Sequence, residues 1–416
     1  MFIAKKNVFK FNKPVPIVLG SFINGLGLVR SFGEMAIPSI CLDYTRNIAM
    51  YSKYSKNFIC PHPLKKEVDF IKYLLQLGSR LKNKGILFAT GDDWLMSISK
   101  NQKILSQYYS FPMSGWDTIK KIINKSYLYK IADQINIPIP RTFFLDSLKQ
   151  IKNIKKKIIF PCILKPAITI NFAEKLKIGN QVLIIENSEK LDNWAIKIKN
   201  AHLDNIKLII QEQIYGPIKN LYTLTAYSDR KGEIKAYSIG HKIRQFPPEA
   251  GTIMSGRLKN QKQILNLGIK LIKKLNFCGL SNTEFKKDEK DGKFKLMEIN
   301  PRSGKWTYSA TAAGLNLPYI AYQETLGVKS ISKNRKHTNN ELVWLDLLND
   351  LLIALFGYKI RGFCKARISF KEWKKSIKGK KRFAVISVKD PVPMFIHIYL
   401  TFKQMLIFLN KKGKHL

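Results

Sequence analysis

Three oxygen-bearing side chains around residue 300 have the types and spacing of metal ligands. Glu298 and Asn300 lie two positions apart in a strand-like run, so both side chains should point to one face. Glu284 lies in an earlier strand-like run, and the charged, glycine-containing stretch 287–293 is typical of a hairpin turn. The hairpin would form an oxygen cluster suited to Mg²⁺ that also holds nucleotide phosphates. A surface hairpin with solvated acids is the alternative.

The element that should carry a second group of candidates is a parallel sheet near the N-terminus. Residues 16–43 show the pattern strand, glycine turn, helix, strand, which is typical of a doubly wound α/β layer. In that turn, backbone N–H groups at a helix start can receive a carboxylate or phosphate. A later strand pattern over 86–93 carries Asp92 at its C-terminal edge, where open α/β sheets bind ligands.

Length and composition indicate a folded protein of more than one domain. The 416 residues are enough for two or three cores, and 45% hydrophobic and 11% aromatic residues exclude a disordered chain. The formal net charge of +43 is spread along the chain, which favours a compositional origin. A surface for nucleic acid or an anionic membrane is the alternative.

Cysteines and apolar runs predict a cytoplasmic protein. The five cysteines include no Cys-x-x-Cys pair, which indicates reduced thiols. The first 13 residues lack the apolar core of a signal peptide, and no stretch reaches the length of a membrane span. Residues 393–409 come closest, and we predict a helix docked on the protein there, with peripheral membrane contact as the alternative.

Five motifs, in order along residues 15–330, resemble those of the ATP-grasp superfamily of carboxylate–amine and carboxylate–thiol ligases. They are Lys125 in Asn-Lys-Ser-Tyr-Leu, Lys165 in Ile-Leu-Lys-Pro, Glu212 in Gln-Glu-Gln-Ile-Tyr-Gly, Glu284 in Thr-Glu-Phe-Lys, and Glu-Ile-Asn-Pro-Arg at 298–302. Stretches 24–33 and 242–252 look most like D-aspartate-ligase-type enzymes.

The resemblance implies an α/β fold, with α+β character in the ATP-grasp lobes. We expect an N-terminal doubly wound parallel-sheet domain over 1–117 and an ATP-grasp domain over 118–330. Its two lobes, about 118–212 and 213–330, would clasp ATP. A C-terminal helical extension would cover 331–416.

The resemblance also implies contacts for the nucleotide. These would come from Lys125, Lys165, Lys175, Glu212, Gln213 and Ile214. The first two lysines would bind phosphates, and Lys175 or Lys177 would cover them in the loop 167–179, which has a single glycine. Glu212 would receive the adenine amino group, since an unpaired carboxylate on a buried strand would be costly. The backbone near Gln213 and Ile214 would complete the adenine edge.

Metal and substrate sites follow from the same resemblance. The predicted ligands of two Mg²⁺ ions, with Mn²⁺ as an alternative, are Glu284, Glu298 and Asn300. The acceptor carboxylate and the acyl-phosphate charge would be bound by Lys242, Arg244 and Arg302. We expect Lys242 and Arg244, two positions apart, to project from one strand face. The second substrate would bind at Asn24, Gly25, Gly27 and Asp92.

The predicted function is that of an ATP- and Mg²⁺-dependent ligase. It would activate a carboxylate as an acyl phosphate and transfer it to an amine on an amino acid, peptide or envelope precursor. Its partners would be small molecules, without nucleic acid. Two alternatives stay open: a carboxylase-type enzyme activating bicarbonate, and a non-catalytic nucleotide-binding protein whose basic surface binds a polyanion or membrane.

Overall fold

A computed structural model describes residues 11–167, 172–176, 178, 182–203, 205–247, 251–328, 335–336, 341–356 and 368–412. Residues 168–171, 177 and 179 of the loop predicted to cover the phosphates lie outside these residues, whereas Lys175 lies within them.

The N-terminal layer is a parallel sheet flanked by helices. Its elements are β1 (Pro16–Leu19), α1 (Ile23–Gly33), β2 (Ser39–Asp43), β3 (Ser55–Ile59), α2 (Glu67–Gly78), β4 (Gly85–Ala89), α3 (Asp92–Lys100), α4 (Gln102–Leu105) and β5 (Tyr109–Ser110). The strand order is β3-β2-β1-β4-β5. Every residue of β1, β2 and β4 is buried, as expected of strands covered on both faces. The predicted doubly wound layer is confirmed.

A smaller antiparallel sheet forms the first lobe of the following domain. The elements are α5 (Trp116–Ile123), α6 (Lys125–Gln134), β6 (Thr142–Leu145), α7 (Ile151–Ile154), β7 (Cys162–Pro166), α8 (Phe172–Lys175), β8 (Leu183–Ile185), α9 (Ser188–Asn200) and β9 (Leu208–Glu212). The strand order is β6-β9-β7-β8. Asn124 separates α5 from α6 because its side chain accepts hydrogen bonds from the N–H groups of Ser126 and Tyr127, capping the second helix.

The second lobe is built on a larger sheet. Its elements up to the predicted linker are β10 (Leu221–Ser228), β11 (Ile234–Phe246), β12 (Thr252–Leu258), α10 (Lys262–Lys274), β13 (Gly279–Lys287), β14 (Phe294–Asn300), α11 (Thr307–Ala312) and α12 (Leu317–Thr325). Strands β13 and β14 form the predicted hairpin, with Glu284 paired opposite Glu298 and Asn282 opposite Asn300.

The C-terminal segment contains the expected helices but also extends the sheet of the second lobe. Its elements are β15 (Arg335–Lys336), β16 (Val343–Leu345), α13 (Leu347–Phe356), α14 (Phe370–Ser376), β17 (Lys381–Phe383) and α15 (Val392–Lys412). The sheet order is β14-β13-β10-β11-β12-β16-β17, with β15 paired to β11. The segment is therefore part of the domain that it follows. Within the described residues, no helix combines the length and apolarity needed to cross a membrane.

A buried ion pair ties the first helix to the last segment of the chain. Arg30 on α1 donates from Nε to Asp390 Oδ2 at 3.0 Å, and both side chains are only 2% exposed. Arg30 also donates to the carbonyl oxygens of Val385 and Asp390. Ser52 adds a hydrogen bond to the Asp390 carboxylate. The pair thus has the additional hydrogen bonds that a buried charge needs.

Candidate active site

A cavity of about 610 Å³ lies between the two lobes and contains most of the predicted site. Its charged side chains are Lys125, Lys165, Lys242, Glu284, Lys286, Glu298, Arg302 and Lys305. Its apolar walls include Ile163, Val182, Ile184, Ile214, Leu221 and Met297. A cavity that combines apolar walls with many cations suits a ligand with a flat ring and several negative charges.

The predicted metal ligands meet on the β13–β14 hairpin. Glu284 and Glu298 are directly opposite, and Asn300 Nδ2 donates to Glu298 Oε1 at 2.9 Å. Two carboxylates and an amide oxygen are hard donors of the type that Mg²⁺ prefers, so these residues fit the ion. Within the described part of the chain no three His, Cys, Asp or Glu side chains form a metal-binding group. The amide and ligand oxygens would therefore have to complete the coordination shell.

The two carboxylates differ in their electrostatic surroundings. Burial opposes ionisation of Glu298, but the charge of Lys125 and the hydrogen bond from Asn300 outweigh it and lower its pKa. Burial raises the pKa of Glu284, although its ion-pair partner Lys242, at 3.0 Å, opposes the shift. Glu298 is thus held as the anion of the pair.

Lys125 and Lys165 face Glu298 from the first lobe. Lys125 is the first residue of α6, an end of the helix where the dipole disfavours a cation. Burial and the neighbouring charge of Lys165 lower the pKa of Lys125. Lys165 is 7% exposed, and its ammonium donates to Gln211 Oε1 at 2.8 Å. Two crowded cations, one of them at a helix start, form a place where an anion would be stabilised.

ATP affinity should fall as the pH rises, because burial lowers the pKa of Lys165 to about 8. Raising the pH through this value removes the positive charge that a phosphate would need. At pH about 9 roughly a tenth of the sites keep this proton, so the apparent Kd should rise about tenfold from its value near pH 7. Calorimetric titration with ATP at both pH values measures the change.

Lys165→Arg is the matched control for this prediction, since a guanidinium stays protonated throughout the range. Its ATP affinity should not depend on pH between these values. A wild-type Kd that changes less than twofold would contradict a phosphate contact by Lys165.

The side chain of Glu212 is paired within the protein, so it does not need the adenine amino group as a partner, which was the reason for assigning it to adenine. Its Oε1 accepts hydrogen bonds from Lys295 Nζ at 2.9 Å and from the Arg141 backbone N–H at 3.0 Å. Because strand residues alternate between faces, Gln211 lines the main cavity and Glu212 lies toward a smaller one. Gln213 and Ile214 do line the main cavity, so the backbone edge predicted for adenine lies where a base could reach it.

Arg244 does not face the cavity, which corrects the prediction that it shares a face with Lys242. The pairing of β11 with β12 is irregular on both sides of Arg244, and such a bulge re-aims the side chain. Arg244 forms a bidentate pair with Asp350, at 2.8 and 2.7 Å, and also donates to Ser376. Its role is to hold α13 and α14 against the sheet.

Arg244→Met should therefore reduce stability and leave ATP binding unchanged. Asp350 is 0% exposed and would lose the cation that balances it. Breaking a buried pair in this way typically costs about 3–5 kcal/mol. Urea unfolding checks the loss, and the ATP Kd of the folded variant should stay within about twofold of wild type. A large rise in the ATP Kd at unchanged stability would indicate instead that Arg244 contacts the nucleotide.

Arg302 connects the cavity to the N-terminal layer. It lines the cavity and forms a bidentate pair with Asp92, with Nε to Oδ1 at 2.6 Å and a nitrogen of the fork to Oδ2 at 3.3 Å. The Asp92 side chain is half exposed at the start of α3. The structure thus brings together one residue predicted for the acyl phosphate and one predicted for the second substrate.

The described lining of the cavity does not include Asn24, Gly25 or Gly27, and all three have structural contacts. Among the described residues that line the cavity, none comes from the N-terminal layer. Asn24 donates to the carbonyl of Thr90, and the carbonyl of Gly20 approaches Gly25 too closely to admit a Cβ. Packing accounts for both glycines, since a Cβ on Gly27 would lie 2.9 Å from Tyr308 Cβ. Lys175, exposed at the end of α8, is likewise absent from the described cavity lining.

Sequence reasoning missed several polar residues that line this site, among them Asn282, Lys305 and Gln211. Asn282 lies two positions before Glu284 on β13, so the alternation rule used for Glu298 and Asn300 could have found it. Lys305 lines the cavity and donates to Asp346 Oδ2 at 2.7 Å, a partner that no local pattern reveals. Gln211 lies next to Glu212 in an apolar strand, and no spacing pattern in the sequence indicates it.

The fold is that of ATP-grasp proteins, and the chain is similar in sequence to members of that superfamily. A family model described as "ATP-grasp in the biosynthetic pathway with Ter operon" matches residues 244–346. In sequence the chain is similar to D-aspartate ligase of Enterococcus faecium. The two are 28% identical over 337 residues, which are 78% of this chain and 80% of that relative.

Solved structures share the fold. N5-carboxyaminoimidazole synthetase from Staphylococcus aureus, complexed with ADP, has a TM-score of 0.60 at 15% identity, over 85% of this chain and 87% of that one. L-amino acid ligase from Bacillus licheniformis has a TM-score of 0.56 at 14% identity, over 78% and 76% of the respective chains.

Proposed function

We propose that this protein uses ATP to convert a carboxylate into an acyl phosphate and then joins the acyl group to an amine. The observation that carries the proposal is the cavity between the lobes, whose lining includes Lys125, Lys165, Glu284 and Glu298. These groups can bind phosphates and the cation that accompanies them. The similarity to D-aspartate ligase supports an amino acid as the carboxylate, with D-aspartate the first to test.

The first step would be attack of a carboxylate oxygen on the γ-phosphorus of ATP. The bond from that phosphorus to the β-bridging oxygen breaks, and ADP leaves. Lys125 and Lys165 would hold the phosphates in line and offset their charge. Glu284, Glu298 and Asn300 would hold Mg²⁺, which when bound supplies further neutralisation of phosphate charge. The cavity walls would exclude water, which would otherwise hydrolyse the acyl phosphate.

The second step would be attack of an amine on the acyl carbon. The carbon–oxygen bond to phosphate breaks, inorganic phosphate leaves, and the amine releases a proton. Arg302 would stabilise the oxyanion of the tetrahedral intermediate, and Lys242 on β11 would orient the substrate carboxylate. Both residues line the cavity, as this assignment requires.

The test is ADP formation across a panel of acids with hydroxylamine as the amine. We expect ADP and a hydroxamate in equal amounts with one acid, and neither product with Glu298→Gln. ADP formation that requires bicarbonate alone would indicate carboxylase chemistry instead. ATP binding without ADP formation under any condition would indicate a non-catalytic nucleotide-binding protein.

A further inference from the structure

The last helix presents an apolar face to solvent. We define the α15 apolar face as Val392, Phe395, Ile398, Tyr399 and Phe402, whose exposed fractions are 49%, 61%, 36%, 59% and 50%. Steps of three or four residues place them in one stripe along the helix. Single exposed apolar residues need no explanation, but a continuous stripe with three aromatic rings indicates an interaction surface.

The opposite side of α15 fixes the direction in which this face points. Met394, Ile396 and Leu400 pack against the core beneath the helix. His397 Nε2 lies 3.4 Å from Asp346 Oδ1, in the polar network that reaches Lys305. Since the helix is anchored on its inner side, the stripe is held outward by the fold.

The surroundings of the α15 apolar face are basic. No Asp or Glu follows Asp390 in the sequence, while Lys403 lies within the helix. Lys53 and Lys389 are exposed at its amino end, where the Lys53 N–H donates to the Asp390 carboxylate. An apolar stripe flanked by lysines has the composition of a helix that lies in a membrane interface.

Charge distinguishes the possible occupants of this face. A second copy would bring another formal charge of +43 against the first, so like-charge repulsion opposes self-association. An anionic lipid surface carries the opposite charge and therefore attracts each nearby lysine. A spanning arrangement is not supported, because no described helix is long and apolar enough.

We propose that the α15 apolar face docks on the surface of an anionic lipid bilayer, with the aromatic rings in the headgroup region. The flanking lysines lie over the lipid phosphates. This geometry attaches the enzyme peripherally and leaves the cavity between the lobes intact. The proposal is independent of which carboxylate and amine the enzyme joins.

The test is flotation of the full chain with two kinds of vesicle. One contains phosphatidylglycerol with phosphatidylcholine, and the other contains phosphatidylcholine alone. We expect flotation with the anionic vesicles only, and its loss at about 1 M salt, where screening acts over roughly 3 Å. The triple variant Phe395→Ser, Tyr399→Ser and Phe402→Ser should bind at least tenfold less.

The matched control removes equally exposed apolar residues elsewhere, as Val68→Ser, Ile104→Ser and Ile196→Ser. These side chains are 67%, 52% and 58% exposed, and this variant should bind anionic vesicles within twofold of wild type. Thermal melts of both variants show that they are folded. Failure of the wild type to float, or undiminished flotation of the α15 variant, overturns the proposal. The proposal is also overturned if the wild-type protein is a dimer that does not float and that dissociates when the α15 substitutions are made.

Discussion

Replacing Glu298 with glutamine should lower kcat/KM for ATP turnover by about 10²–10³-fold, the usual effect of removing one preorganised electrostatic group. The change keeps the size of the side chain and an oxygen that can accept from Asn300 Nδ2. It removes the negative charge that lies among Lys125, Lys242 and Lys165. The loss of kcat/KM would therefore measure the combined contribution of the Glu298 charge and of the cation that this charge would hold.

The control for this experiment lies on the same hairpin. Glu289→Gln makes the same chemical change at an exposed turn position outside the main cavity. Its turnover should be within about twofold of wild type. Retention of more than a third of the activity by the Glu298 variant would show that this carboxylate is not part of the catalytic machinery.

Replacing Arg30 with methionine should lower the free energy of unfolding by about 3–5 kcal/mol, because breaking a buried pair leaves the other charge uncompensated. Asp390 would keep hydrogen bonds from Ser52 and the Lys53 N–H but would lose its only ion-pair partner among the described residues. The urea midpoint of a single cooperative transition measures the change.

Lys155→Met is the comparison for Arg30→Met, since it breaks an ion pair with Asp192 whose members are 32% and 53% exposed. Surface pairs contribute about 0–1 kcal/mol, so the midpoint should shift little. Equal shifts for the two variants would mean that the connection between Arg30 and Asp390 does not stabilise the fold.

The parts of the site that could be predicted are those fixed by local geometry. Alternation along a strand placed Glu298 beside Asn300, and a short charged turn placed Glu284 opposite them. The C-terminal edge of β4 placed Asp92 where the layer meets Arg302. In each case the sequence separation is small or the position follows from a general rule of sheet topology.

The failures have long-range causes. Glu212 was assigned to adenine because its partner Lys295, 83 residues away, could not be seen from the apolar strand pattern. Arg244 was misplaced because a bulge breaks the alternation, and bulges leave a weak mark in a single sequence. Strands β16 and β17 are three residues each, too short for a periodic signal, and their pairing with β12 depends on the finished sheet.

The connection between Arg30 and Asp390 also affects how the protein is synthesised. These residues are 360 positions apart, so at 5–20 residues per second the ribosome needs about 20–70 s to supply the aspartate after the arginine. During that interval the guanidinium of Arg30, which is buried in the folded protein, has no Asp390 carboxylate to neutralise it. Completion of the N-terminal layer thus depends on a segment that is translated long after it.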